Sequence, residues 1–169
     1  YVSKGQASGI VPGTVAGQPN VSVQAEGNGT LGTTLSAAVV LTAPALFTAD
    51  ASGRGQAAAI NEEGGLNGPI TPISVGSIVV LYATGAGELV PRGEAGAISP
   101  RGDGLAFPLT VEIDGQAAEI LFSGQAPGQI FGLTQINVRV PETGRRGALA
   151  VVLKAPGYSS LPNVTIEVK

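Results

Sequence analysis

Leu109-Thr-Val-Glu-Ile-Asp-Gly-Gln-Ala-Ala-Glu-Ile-Leu-Phe122, followed at residues 133–141 by Leu-Thr-Gln-Ile-Asn-Val-Arg-Val-Pro, decides the fold class. Leu109, Val111 and Ile113 alternate with Thr110, Glu112 and Asp114, a period of two that gives one face to a core and one to water. Asp114-Gly115 is the dipeptide a two-residue hairpin turn favours, because both central residues need positive φ. Ile136, Val138 and Val140 then alternate with Gln135, Asn137 and Arg139. The stretch predicts a hairpin and a third strand in the middle of a β-sandwich.

Working outward, short apolar runs recur about every 8–12 residues, separated by turns rich in Gly and Pro. Strands are expected at residues 20–26, 36–43, 56–61, 77–84, 148–154 and 163–168, with a long irregular loop at 85–107. No run of ten or more residues carries a helical 3.6 period between capping signals. The expectation is all-β, an Ig-like antiparallel β-sandwich with an extended N-terminal strand segment. Residues 1–43 are read as an N-terminal extension and 44–169 as the sandwich domain.

Composition excludes several function classes. With no Cys and no His, the chain has no disulfide framework and lacks the usual transition-metal ligands. Ser-His-Asp and Cys-His catalysis are impossible for the same reason. A net charge of −3 with nine scattered basic residues leaves no electrostatic footprint for nucleic acid. No apolar run is long enough for a membrane span. Charged residues are only 12 % of the chain, against about 25 % in an average soluble domain. That shortage fits either a surface covered by other copies or by glycan, or simply an Ala/Gly-rich extracellular domain. The chain contains no Met, which leads us to expect a processed product.

Residues 1–19 are rich in Gly, Ser, Ala and Pro, with Val2, Ile10, Val11 and Val15 as apolar points. Alone, such a segment cannot bury enough apolar surface to offset its chain entropy. Termini of this kind are ordered by adding a strand to a sheet or docking on a neighbour. Two runs, 78–83 and 148–153, are apolar on both strand faces, and large bare apolar faces are uncommon on monomers. Ile78, Val79, Leu81, Leu149, Val151 and Leu153 are therefore assigned to a receiving surface.

Several motifs occur in order: Pro44-Ala-Leu-Phe-Thr-Ala-Asp-Ala-Ser-Gly-Arg-Gly, Gly76-Ser-Ile-Val-Val-Leu-Tyr-Ala-Thr-Gly-Ala-Gly, Val111-Glu-Ile-Asp-Gly-Gln-Ala-Ala, Ala126-Pro-Gly and Leu133-Thr-Gln-Ile-Asn-Val-Arg-Val-Pro. Together they make residues 44–169 resemble an uncharacterised C-terminal domain of secreted Acidobacteria proteins of the Solibacter type. The second half is also similar to Ig-like domains of the IPT/TIG kind. The resemblance implies secretion to the exterior or cell surface, and an Ig-like module. It implies no catalytic or metal residues.

The remaining motifs have bland readings. Arg101-Gly102-Asp103 sits in a Gly-rich loop and reads as a turn. Asn20, Asn28 and Asn163 begin glycosylation sequons, of which Asn28, in a turn, is the best placed. Lys154 beside a carboxylate would allow an intramolecular isopeptide crosslink, visible as a lowered intact mass. No enzyme activity, cofactor or metal is expected. The favoured reading is an extracellular structural protein, a homopolymer built head to tail by N-terminal β-strand addition into the next sandwich. The alternative is a monomeric adhesin or carbohydrate-binding accessory module with surface glycans as partners. Scarce aromatics and the absence of Trp count against that alternative.

Overall fold

The computed structural model describes residues 2–3, 6–94, 96–99 and 102–169, with side chains from residue 8 onward. Among these residues there is no α-helix, only a 3-10 turn at Gly13–Val15. The chain divides into two compact units, residues 1–41 and 42–169.

The N-terminal unit is built of short ladders. β1 (Val2–Ser3) pairs with β2 (Gln6–Ala7). β3 (Asn20–Val23) pairs with β6 (Leu35–Ala38), and β4 (Glu26–Gly27) with β5 (Thr30–Leu31). Residues 20–38 thus form one ribbon, turning at Asn28-Gly29, whose φ values of 50° and 74° suit a tight primed turn. Gln24 Nε2 donates to the Gly32 carbonyl at 2.8 Å, where one extra residue shifts the register between the two ladders.

The C-terminal unit is all-β and sandwich-like. Its strands are β7 (Ala45–Leu46), β8 (Gly55–Gln56), β9 (Ala59–Asn61), β10 (Ile78–Thr84), β11 (Leu89–Val90), β12 (Gly104–Leu105), β13 (Thr110–Ile113), β14 (Gln116–Gln125), β15 (Thr134–Arg139), β16 (Gly147–Ala155), β17 (Tyr158–Ser159) and β18 (Val164–Val168). They join in one curled sheet in the order β7-β10-β15-β14-β13-β16-β18-β8. The anticipated hairpin is β13–β14, with Asp114 and Gly115 at φ 51° and 79°. The loop expected at 85–107 contains the small β11–β12 ladder. Pairing is antiparallel except at β18, where β8 and Ile73 run parallel to it.

The two ends of this order meet. Thr48 bridges Ala57, the Ala58 amide donates to the Phe47 carbonyl, and the Ala49 amide donates to the Gln56 carbonyl. The hydrogen-bonded path therefore returns to its start and has no terminal strand. Inside it, Val79, Leu81, Val111, Ile113, Ile136, Val138, Leu149, Val151, Leu153 and Ile166 form a single water-free core.

Two buried amides complete the closure. Asn67 acts as a substitute peptide unit against β18: its Oδ1 accepts from the Glu167 amide at 2.8 Å, and its Nδ2 donates to the Glu167 carbonyl at 2.9 Å. Gln56 Nε2 donates to Asn67 Oδ1, and Asn67 Nδ2 donates to Asn61 Oδ1. Gln125, with no exposed surface, donates from Nε2 to the carbonyls of Ala126, Gln129 and Ile130 and accepts from the Gly132 amide. Asn67→Leu keeps the branching of the side chain but leaves the buried Glu167 amide without its acceptor, while the Glu167 carbonyl keeps the Ile73 amide. We expect about 2–4 kcal/mol less stability in urea titration; a change near zero would show that the amide is dispensable.

Candidate functional site

The ribbon has two unlike faces. Cross-strand partners point the same way, so Val21, Val23, Leu35 and Ala37 share one face and Asn20, Ser22, Ser36 and Ala38 share the other. The apolar face lies open: Val23 is 54 % exposed and Leu35 64 %. From residue 8 to 41 no residue is buried. The N-terminal unit therefore has secondary structure but no core among its described side chains.

The C-terminal unit carries an apolar face of its own, on the outside of β10. The chain of partners Leu66–Ile60–Val80–Asn137–Phe122 crosses the sheet in one row. One row further along β10, Phe47, Ala58 and Tyr82, with Leu133 and Gln129 from the loop Gln125 holds, line a shallow cavity of ≈ 330 Å3. At the other margin Arg139 Nε lies 2.8 Å from Glu119 Oε2, and its Nη1 donates to the Gly76 carbonyl. The face is uncharged from that pair to the cavity.

The residues expected to act in assembly are distributed differently. Val79, Leu81, Leu149, Val151 and Leu153 face the unit's own core with at most 1 % exposure, so they have no surface to offer a neighbour. Ile78 alone of the six points outward, half-buried. The inner parity of β10 fills the core, and the outer parity, Ile78, Val80 and Tyr82, is half-buried on the outer face.

Of the donor residues, Val2 pairs through β1, but its side chain is outside the described residues. Ile10 and Val11 are exposed, and Val15 closes the 3-10 turn rather than extending a strand. Val23 and Leu35, which sequence reasoning left out, are the larger open apolar groups of a regular strand pair. The period-two pattern of residues 20–26 held that information; the partner strand did not show it.

Asn28 stands exposed at the ribbon tip. Arg101 lies outside the described residues, while Asp103 lends its carbonyl to the Gln125 amide. A second shallow cavity, ≈ 210 Å3, is lined by residues of 43–46 and 158–164 with Gly53. Among the described residues no group of three or more His, Cys, Asp or Glu is placed to hold a metal ion, and no helix is long and apolar enough to cross a membrane.

The Ser52 hydroxyl and amide hold the Asp50 carboxyl below the usual carboxylate range, and Arg146, with the Gly144 amide, does the same for Glu142. Both are exposed turn caps. A depressed carboxyl pKa stabilises the fold above the unfolded-state value and ceases to do so as pH falls through the folded-state value. These two caps should therefore loosen only in acid, which an NMR carboxyl titration would register as sub-normal midpoints.

Lys154 Nζ lies 2.5 Å from Glu112 Oε1 with the side chains 45 % and 30 % exposed. In that solvated setting the pair is a surface ion pair. Intact mass should equal the sequence mass, and Lys154→Ala should cost less than about 1 kcal/mol. A mass deficit of one water would establish a covalent bond instead. No family model, no curated protein and no solved structure matches the chain.

Proposed function

We propose that this protein is an extracellular structural subunit that polymerises head to tail through its N-terminal unit. The observation that carries the proposal is the open apolar face of Val21, Val23, Leu35 and Ala37 on a unit without a core. An isolated two-stranded ribbon is marginal in water, so its order calls for a surface to lie on. The low charge of the chain supports the same reading, because a solvated monomer needs more. Extracellular placement rests on the resemblance of residues 44–169 to secreted bacterial domains.

Strand addition into the neighbouring C-terminal unit would need a gap in its ring of hydrogen bonds, and that ring has no terminal strand. Off that ring only the two-residue strands β11 and β17 have a single partner among the described ladders and bridges, whereas the ribbon's longer β3 and β6 pair only with each other. A contact made by the ribbon is thus the form of N-terminal assembly that costs the barrel no hydrogen bonds. A heterologous contact of this type extends without limit unless its rotation closes a ring.

The competing role as a glycan-binding module draws on one feature, the cavity beside Phe47, Tyr82 and Gln129. An aromatic pair with one amide is a plausible sugar seat by chemistry, but the apolar row next to it is better matched to protein.

Deleting residues 1–41 removes the coreless unit and leaves the closed barrel whole. We expect the truncated chain to be a folded monomer by light scattering while the full chain forms elongated assemblies in negative-stain images. Fibres from the truncated chain would refute the proposal.

A further inference from the structure

Resting on the reading above, we infer that the receptor for the ribbon is the outer face of β10 on a second copy. The ribbon's apolar face of Val21, Val23, Leu35 and Ala37 would lie across the row from Leu66 to Phe122. The two surfaces match in character. Residues 8–41 carry one formal charge, Glu26, and the receiving face is uncharged inside a margin made of the Arg139–Glu119 pair and Glu62, whose carboxylate accepts from the Ile78 amide. Bringing them together desolvates few charges, the main penalty that opposes burial of a polar surface.

They also match in size. Leu66 to Phe122 crosses five paired segments, four gaps of ~4.8 Å, so the row is about 19 Å long. Each ribbon strand has four residues, ~13 Å, and fits within it. Leu66, 73 % exposed, is the open end of the row, and Phe47, 45 % exposed, stands in the neighbouring row beside the cavity. The seat is preformed, because Thr71 and Asn67 fasten the Leu66 turn and Gln125 fastens the Leu133 loop.

A second copy is the occupant because every copy carries one apolar ribbon face and one such seat, so each contact leaves one of each free for the next, as a heterologous contact requires.

The test uses two full-length variants, one spoiled on each side. Val23→Glu with Leu35→Glu spoils the ribbon; Leu66→Lys with Phe47→Lys spoils the seat. All four positions are exposed, and far-UV circular dichroism with a thermal melt checks that each variant keeps its fold. Each variant alone should remain monomeric, its self-association weakened at least about tenfold. An equimolar mixture should give heterodimers and stop there, since only one intact ribbon and one intact seat remain per pair.

Other results overturn the inference in distinguishable ways. If the seat variant polymerises as the wild type does while the ribbon variant does not, the receptor lies elsewhere and N-terminal assembly stands. If the ribbon variant polymerises normally, the ribbon contact is wrong. If both variants are monomeric but the mixture is too, the intact ribbon does not bind the intact seat and the inference fails. A wild-type chain that stays monomeric, with the ribbon amides protected from exchange, defeats both this inference and the polymer reading.

Discussion

Pairing of backbone polar groups around the C-terminal unit is the constraint from which its shape follows. A sheet of short strands leaves N–H and C=O groups open at each edge, and edges invite other chains. Here the first and last segments bond to one another at Thr48 and Ala57, so the main path of the sheet curls back on itself and, among the described strands, only the short β11 and β17 beside it keep a single partner. Where the backbone cannot reach, a side chain stands in: the Asn67 amide presents to Glu167 the same donor and acceptor that a neighbouring strand would. The core of valine, leucine and isoleucine then fills the enclosed space.

The N-terminal unit obeys a different balance. Its ladders satisfy much of the backbone, but its side chains exclude little water, since none from residue 8 to 41 is buried. Hydrogen bonds of that kind contribute little net free energy when water competes for both partners. One half of the molecule thus has its free energy in a core and the other half presents apolar area still in solvent. An assembly that joins the two halves of different copies would bury the second without disturbing the first.

Much of the fold was legible because the strands with one wet face declare themselves by alternation, as Val164, Ile166 and Val168 do, and Asp114-Gly115 by its turn chemistry. Closure of the sheet was not legible. It rests on single bridges such as Thr48–Ala57, too short to declare themselves as strands, and on Asn67, an amide whose role depends on where Glu167 arrives. The candidate surface was half legible. The unusual greasiness of residues 78–83 marked the strand whose outer parity is apolar, but alternation alone does not say which parity faces inward until the neighbours of β10 are known. The ribbon's open face was hidden for a related reason: Leu35 and Ala37 join Val21 and Val23 only after the register across residues 24–34 has slipped by one.

A similar slip governs β14. Leu121 is an extra residue between Ile120, opposite Val138, and Phe122, opposite Asn137. That one insertion reverses the inside–outside phase of everything after it, sending the Phe122 ring to the exterior and the Gln125 amide to the interior. Were Leu121 itself to take the place opposite Asn137, the two would exchange. The aromatic end of the outer row would vanish inward, and the amide that fastens the loop beneath the cavity would be turned out to water, so a single residue sets both the surface and the rigidity of its support.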